Sequence, residues 1–333
     1  DPDREGRPVT APAATRAAGP RGAPDDPTDW PVRPARHPWR WAAGAAVLVL
    51  VAMFANMMLT NPAWKWHVVA DYLFAETIMR ALWLTVRLTV YGTVLGFGLG
   101  VVLALMRLSG SALLASVSWT YVWAFRSIPL IVQLLFWYNL AILYDRLSFG
   151  IPFGPAFVSF PTMELISPMT AAVLGLALHQ AAYSAEIVRS GILAVDQGQR
   201  EAAAALGIPW GRQVRRIILP QAMRTIMPTA GNEVIGLFKG TSVVYVMALG
   251  ELFYRVQVIY NRTGDVVPML MVATLWYIVL TTLLSAAQFY VERHYAKGAV
   301  RELPPTPLQR VRSFAAGLPH ALRSARPPRG ATR

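Results

Sequence analysis

Long apolar stretches separated by short polar connections dominate the chain. A membrane-spanning helix needs about 20 consecutive apolar residues. Stretches close to or above that length lie at residues 41–59, 78–106, 112–141, 168–190, 226–249 and 268–290. Because only helices and closed barrels satisfy their backbone hydrogen bonds inside a bilayer, the pattern predicts an all-α transmembrane bundle of about six spans. One extra N-terminal span would precede a core of five helices.

Composition supports this interpretation and excludes several enzyme classes. Of the 333 residues, 55% are hydrophobic and only 15% are charged, which leaves too little polar surface for a compact soluble domain. The absence of cysteine excludes disulfides, thiolate metal sites and cysteine nucleophiles. The few histidines form neither a His-Glu-x-x-His motif nor a pairing with a nucleophilic serine, and no Walker A phosphate loop occurs. We therefore expect no catalytic residue, metal site or bound cofactor in this chain.

The two ends of the chain differ from the apolar middle. Residues 1–40 and 299–333 are rich in proline, alanine and arginine, a composition that predicts disordered basic tails. Residues 41–60 follow a long tail and lack a small-residue cleavage site. We therefore expect a retained membrane helix there rather than a signal peptide.

The distribution of basic residues predicts an orientation. If the N-terminus lies inside, most of the 31 lysines and arginines fall on that side. The opposite connections hold only Lys65, Arg146, Arg255 and Arg262. Since basic residues gather on the cytoplasmic side, both termini are predicted to be cytoplasmic. The net charge of +13 therefore fits membrane topology, and because the tryptophans and tyrosines lie mostly in or beside apolar runs, nucleic-acid binding is not expected.

The polar connection at residues 196–220 has the pattern of an ordered element. Asp196 and Gln199 form a capping-box-like pair that predicts the start of a short helix. Gly207 followed by Pro209 predicts its end, because glycine tolerates a left-handed conformation and proline cannot continue a helix. The segment between them is rich in alanine, a strong helix former.

A second short helix is predicted over residues 210–219, again on the inside. It carries three arginines that suit phosphate headgroups or an acidic partner, namely Arg212, Arg215 and Arg216. The two helices together would lie parallel to the membrane surface.

These residues carry a family resemblance. The chain resembles the permease subunits of ATP-binding-cassette (ABC) importers, whose conserved cytoplasmic EAA loop is matched without gaps by Glu201, Ala202, Ala203, Gly207, Ile217, Leu219 and Pro220. The polar amino-acid branch of that family is further matched by the runs at residues 125–130, 132–134, 185–191, 218–222 and 239–242, and by Asn232. The resemblance covers residues 76–298, about two-thirds of the chain.

The resemblance implies a type I importer fold and a set of partners. The five-helix core would pair with a second permease subunit, identical or homologous, and receive polar amino acids from an extracytoplasmic solute-binding protein. Two separate ATPase subunits would bind ATP and magnesium and dock on the EAA loop at residues 196–220. The chain would be a multi-pass protein of the bacterial inner membrane and not an enzyme.

Polar residues inside the predicted spans are candidates for the translocation pathway, because such residues are costly in a bilayer. The pathway candidates are His179, Gln180, Lys239, Thr241 and Ser242. A gating or structural role is expected for Arg126, Glu186 and Arg189. Glu186 and Arg189 are spaced i, i+3, which favours a local ion pair over a gate.

Two residues depart from the pattern of the resembling family, since Gly240 stands where aspartate is usual and Ser190 where glycine is usual. Without that aspartate, Lys239 must find hydroxyls, carbonyls, water or a carboxylate on another helix. An ion-gradient-driven secondary transporter is the alternative from another class. It predicts inverted repeats and midplane carboxylates, and it gives the EAA loop no task.

Overall fold

A computed structural model describes residues 38–151 and 154–296. The chain divides into two compact units between Asn61 and Pro62. In the first unit, helix α1 (Pro38–Thr60) forms the predicted extra span and begins slightly before residue 41. Most of both predicted tails, and the disorder expected of them, lie outside the described residues.

Where the structure describes the second unit, the regular elements are helices and one hairpin. The unit begins with a 3₁₀ turn (Pro62–Trp64), α2 (Trp66–Leu73) and the long helix α3 (Glu76–Leu108). The next elements are α4 (Ala112–Ser127), α5 (Leu130–Tyr138), α6 (Leu140–Leu143), strands β1 (Arg146–Gly150) and β2 (Ala156–Pro161), α7 (Thr162–Leu165) and α8 (Pro168–Leu193). The remaining elements are α9 (Gln197–Ala205), α10 (Trp210–Gln213), a π-helical segment (Val214–Ile218), α11 (Leu219–Gly240), a 3₁₀ segment (Thr241–Met247), α12 (Leu252–Thr263) and α13 (Val266–Ala296).

The described residues contain up to six candidate spans if two bent helix pairs are each counted as one. Four helices, α1, α3, α8 and α13, are long and apolar enough to cross a membrane. The pair α4–α5 bends by 102°, and the helix from Trp210 to Met247 bends by 49° into α12. The helical bundle confirms the predicted fold class. The run at residues 112–141 is not a straight span, however, because it breaks at Ile128 and Pro129, where the proline ring disfavours a helical conformation of the preceding residue.

Helices α3 and α8 form the closest pair in the bundle. Three glycines spaced four residues apart on α3 face α8: Gly92, Gly96 and Gly100. A Cβ atom added to Gly96 would lie 2.5 Å from Cβ of Gln180, and one added to Gly100 would lie 2.5 Å from Cβ of Ser184. Small residues at this spacing allow helix backbones to approach closely, which is how membrane helices associate without a hydrophobic driving force.

Hydrogen bonds from side chains to backbone tie α4 to this pair. The hydroxyl of Ser118 donates to the carbonyl of Leu103 in α3 at 2.7 Å, and the phenol of Tyr121 donates to the carbonyl of Leu178 in α8 at 2.9 Å. Since lipid offers no partner for these groups, each bond fixes α4 against one neighbour. The middle of α4 is therefore held by both helices.

The side chain of Gln288 joins α13 to α11 by hydrogen bonds. The amide nitrogen of Gln288 donates to the carbonyl of Pro228 and to the side chain of Asn232, both at 3.1 Å. Gly231 leaves the room that Gln288 occupies, since a Cβ on that glycine would lie 2.6 Å from Cγ of Gln288. At the other end of α13, the indole of Trp276 donates to the carbonyl of Leu73 at 2.8 Å.

A buried carboxylate caps α12 after the break that separates it from α11. Glu251 is fully buried and caps α12, accepting hydrogen bonds from the backbone nitrogens of Phe253 at 2.9 Å and Tyr254 at 2.6 Å. The hydroxyl of Thr85 in α3 accepts from the backbone nitrogen of Leu252 at 3.0 Å. The first donors of α12, which have no partner within the helix, are thus satisfied by the side chain of its N-cap residue and by α3.

Candidate functional site

The connection at residues 196–220 forms a short helix with a defined end. Helix α9 spans Gln197–Ala205 and stops at Gly207, which has a φ of +65°. The nitrogen of Gly207 donates to the carbonyl of Ala204 at 2.9 Å, and that of Ile208 to the carbonyl of Ala203 at 3.1 Å. This pair of bonds is a Schellman motif, so the predicted helix end is observed.

The predicted start of this helix is only partly right. Asp196 is the N-cap residue, but its side chain makes no capping hydrogen bond, and the bond to Gln199 runs from its backbone nitrogen to the Asp196 carbonyl. A capping box needs the side chains of both residues, so that prediction is wrong. Gln197 instead donates from its side chain to Glu201 at 2.7 Å.

The second predicted helix does not end at residue 219. α10, the π-helical segment and α11 follow one another without a gap from Trp210 to Gly240. Ile217 is half-buried within this continuous helix, while Leu219 and Pro220 are exposed. The surface loop is therefore an extension of a membrane helix rather than a separate hairpin of helices.

The loop exposes a mixed apolar and polar surface. Ala203 is buried, whereas Glu201 and Ala202 are exposed. The large side chains of Leu206 and Trp210 are 78% and 72% exposed. Beside them, arginines surround an open concavity of about 410 Å³, formed with Gly211 by Arg212, Arg215 and Arg216. Exposed large apolar side chains next to a cationic cluster are suited to a protein partner with an acidic rim.

A second polar site is an open cleft on the surface of the helical bundle. A cleft of about 370 Å³ is lined by Arg107, Trp119, Val122, Trp123, Arg126, Ser127, Tyr183 and Glu186. The guanidinium carbon of Arg126 lies 5.3 Å from the centre of the Tyr183 ring, within the range of a cation–π interaction. Two residues predicted from the sequence, Arg126 and Glu186, are thus brought to one cleft, at the end of α4 and on α8.

Glu186 makes the predicted local ion pair. Both of its carboxylate oxygens accept from Nε of Arg189, at 3.1 and 3.2 Å, and a terminal nitrogen of Arg189 bonds to the same carboxylate. The charge of Arg126 also acts on Glu186 and on Glu233 of α11. Within the described residues Arg126 and Glu233 have no ion-pair partner.

His179 lies one helical turn from Tyr183 on the same face of α8. Their ring centres are 4.9 Å apart, and Nδ1 of His179 is 3.3 Å from the amide nitrogen of Gln133 on α5. Gln133 also donates to the carbonyls of Phe125 and Ile128, both at 2.8 Å. Gln133 therefore bonds across the break between α4 and α5, and it also contacts His179 of α8.

The neighbouring pathway candidate faces the other way. Gln180 is 2% exposed, donates to the hydroxyl of Ser184 at 3.1 Å, and packs against Gly96. The structure thus places Gln180 in the interface of α3 and α8, and not on the face of α8 that carries His179 and Tyr183.

The candidates at the end of α11 remain apart from the cleft lining. Lys239 is exposed, and within the described residues its ammonium has no ion-pair partner. The hydroxyl of Thr241 is buried and donates to the carbonyl of Phe238 at 2.6 Å, while that of Ser242 donates to the carbonyl of Lys239 at 2.8 Å. Both hydroxyls satisfy the last carbonyls of the helix.

Sequence reasoning missed Tyr183, which lines the cleft, Gln133, which lies 3.3 Å from His179, and Glu233, on which the charge of Arg126 acts. Each is a polar or ionisable residue within an apolar run, which is the signal that marked its neighbours. In the part of the chain that the structure describes, no group of three or more His, Cys, Asp or Glu side chains could hold a metal ion.

A bundle of continuous and broken membrane helices, with a polar cleft and a short surface helix beside one span, is consistent with the class of membrane transport permeases. This chain belongs to the family of binding-protein-dependent transport system inner membrane components, whose model matches residues 96–297. The chain is therefore a membrane-spanning permease subunit of an ABC importer and not an enzyme.

Curated relatives share this assignment. The arginine transport system permease protein ArgU of Corynebacterium glutamicum is 43% identical over 287 residues, which cover 86% of this chain and 89% of that protein. The arginine transport system permease protein ArtQ of Bacillus subtilis is 35% identical over 65% of this chain and 91% of its own length. The glutamate/aspartate import permease protein GltK of Escherichia coli is 36% identical over 66% of this chain and 93% of its own length. These relatives give no support to the secondary-transporter alternative.

Solved structures have the same fold. The crystal structure of an amino acid ABC transporter with histidines matches with a TM-score of 0.56 and 32% identity, over 66% of this chain and 95% of that chain. The inward-facing MetNI methionine ABC transporter matches with a TM-score of 0.51 and 21% identity. The latter likeness supports the fold alone.

Proposed function

We propose that this permease imports polar amino acids with a cationic side chain through the cleft beside Arg126. The observation that carries the proposal is the position of Arg126, an exposed guanidinium that lines the cleft, lies against Tyr183 and has no carboxylate partner in the described residues. Relatives named as arginine permeases support the cationic class.

The cleft offers complementary groups for an amino acid. Arg126 can bind the α-carboxylate in a bidentate manner, since a guanidinium presents parallel donors. Glu233 is the acid left for a positively charged group, because Glu186 is already paired with Arg189. His179 and Tyr183 would line the cleft beside the substrate.

The test is ATP-driven uptake of radiolabelled arginine into vesicles that contain the permease with its ATPase subunits and binding protein. We expect Arg126→Gln to lower uptake roughly ten- to a hundredfold, because a hydrogen bond to a charged group contributes about 1.5–3 kcal/mol. Arg80→Gln is the matched control, since Arg80 forms only an exposed pair with Glu76. Equal uptake by both variants at equal membrane levels would contradict the assignment of the cleft.

We also infer that α9 and the loop after it dock on a separate ATPase subunit, which binds ATP and magnesium. The exposed Leu206 and Trp210 would supply the apolar contact and Glu201 a polar one. Gly207→Asp should abolish both ATP-dependent uptake and co-purification of the ATPase. Gly110→Asp is the control, because Gly110 lies outside this loop, in open space and without a positive φ. Retention of the ATPase by the Gly207 variant would contradict docking at this loop.

The remaining partners and the orientation belong to the same proposal. A second permease subunit, identical or homologous, would complete the pathway, two ATPase subunits would bind the two loops, and a solute-binding protein would deliver substrate from the other side. Both termini would be cytoplasmic. Modification of single cysteines at Trp210 and at Ser148 by a membrane-impermeant thiol reagent on intact cells tests the orientation, and labelling at Trp210 would contradict it.

A further inference from the structure

The chain between α6 and α8 forms a hairpin with two chemically different faces. β1 pairs with β2 in antiparallel register, with Leu147 opposite Phe160 and Phe149 opposite Val158. Residues directly opposite each other share a face, and neighbours along a strand alternate. One face is therefore apolar and comprises these four side chains.

The other face of the hairpin satisfies its own polar groups. Nε of Arg146 donates to the hydroxyl of Ser159 at 2.9 Å, and a terminal nitrogen of Arg146 donates to the Ser159 carbonyl at 3.2 Å. The hydroxyls of Ser148 and Ser159 lie 3.2 Å apart. Apart from Phe157, which is exposed and has no partner at the register shift, this face resembles an ordinary water-exposed sheet surface.

The apolar face is not covered by the rest of the second unit. Phe149 is 65% exposed, and Val158 and Phe160 are also exposed. Between Arg146 and Glu164 the sequence contains no charged residue. An uncharged run of this kind is unusual for a connection that only faces water.

The exposed apolar surface continues into the adjoining membrane segments. Ile142 and Leu143 of α6 and Tyr144 after it are exposed before the hairpin, and Met163 of α7 is exposed after it. The hairpin joins the bent pair α4–α5 to α8, at the end of α8 opposite to α9. Its apolar face therefore begins where the lipid-facing surface ends.

We propose that the apolar face of the hairpin inserts into the headgroup and acyl-chain boundary of the leaflet opposite to α9. Aromatic side chains are enriched at this level of a bilayer, where Phe149 and Phe160 would be buried. The four side chains are too few for a stable protein interface, which buries roughly 800 Å² on each partner. A lipid surface has no such minimum, and continuity with the lipid-facing helices favours it.

The absence of cysteine allows a direct test with the whole assembly. Phe149→Cys and Val158→Cys place a thiol on the apolar face, and Ser148→Cys is the matched control on the polar face of the same strand. Each variant, labelled with a nitrobenzoxadiazole fluorophore, is reconstituted with its ATPase subunit in vesicles of phosphatidylethanolamine and phosphatidylglycerol. Retention of the ATPase on purification verifies that each labelled permease is assembled.

We expect lipids carrying a shallow nitroxide to quench the labels at 149 and 158 several-fold more than the label at 148, and aqueous acrylamide to quench them several-fold less. Equal acrylamide quenching at 148 and 149 would overturn the proposal. Protection from acrylamide without nitroxide quenching would also overturn it and would assign the face to a second permease copy. Protection that requires the solute-binding protein would overturn it in favour of that protein. The two apolar positions report independently, so failure of one variant to assemble leaves the test intact.

Discussion

Gly96 of α3 lies directly against Gln180 of α8, so that a Cβ atom on the glycine would be 2.5 Å from Cβ and 2.7 Å from Cγ of the glutamine. Real Cβ atoms do not approach other atoms this closely. The same added Cβ atom would lie 3.0 Å from the carbonyl oxygen of Ala177. The two helices can therefore keep their separation only if residue 96 has no side chain.

Gly96→Ala should destabilise the permease by about 1–3 kcal/mol, the usual range for overpacking a closely packed interior. Gly98→Ala, two residues away in the same helix, should be neutral or slightly stabilising, because nothing lies within 4 Å of its added Cβ. Thermal unfolding of both variants in the same detergent measures the difference. A Gly96 variant as stable as the Gly98 variant would show that α3 and α8 pack differently.

Gly207→Ala should destabilise the end of α9, because the φ of +65° costs an L-residue about 1–2 kcal/mol. Gly211→Ala should not, since its backbone is helical and its surroundings are open. Proteolysis of the loop in the assembled transporter compares the two variants. Faster cleavage of only the Gly207 variant, together with weaker retention of the ATPase, is the expected result, and equal cleavage would argue against the Schellman end.

Glu251→Ala should lower stability by roughly 0.5–2 kcal/mol, because the carboxylate that accepts from the backbone of Phe253 and Tyr254 is lost from a buried N-cap. Glu164→Ala removes an exposed acid of α7 and serves as the control. A melting temperature of the Glu251 variant that matches the control would show that the cap is dispensable. Glu251→Gln keeps one acceptor oxygen and should fall between the two.

Glu233→Gln should change the substrate selectivity of the permease more than its overall transport rate. Loss of the carboxylate removes the partner proposed for a cationic side chain, so arginine uptake should fall while uptake of glutamine changes little. Competition between the two labelled amino acids in the same vesicles measures the selectivity. Equal loss of both would instead mean that Glu233 supports the fold of the cleft.

The fold was accessible from the sequence because span length and apolar content are local properties. The four long helices and Gly207 as a helix end were read directly from such signals. Pro129 itself is a signal for the break between α4 and α5, but the apolar run that continues on both sides of it favours one uninterrupted span. The hairpin of β1 and β2 was not predicted, although Gly150 and Pro155 within an alternating apolar segment are strand and turn signals.

The membrane site was accessible only in part. His179, Tyr183 and Glu186 follow the period of one helix face, so the sequence alone could have grouped them. Gln133 and Glu233 come from other helices, and their approach depends on the 102° bend and on the packing of α11, which no local pattern encodes. The position of Gln180 in the interface depends on the glycines that α3 presents to that side of α8, and no local pattern in the sequence indicates this packing.

The π-helical segment Val214–Ile218 has a consequence for the angular position of the surface loop. Each residue of an α-helix turns the chain by about 100°, and a π-helical turn accommodates additional chain through its i→i+5 hydrogen bonds. This segment holds five residues between α10 and α11. Because its wider turn absorbs about one extra residue, removing one residue from it should restore α-helical geometry and leave the azimuth of Trp210 nearly unchanged. Removing one residue from α11 itself would instead rotate Trp210 about the helix axis by about 100°.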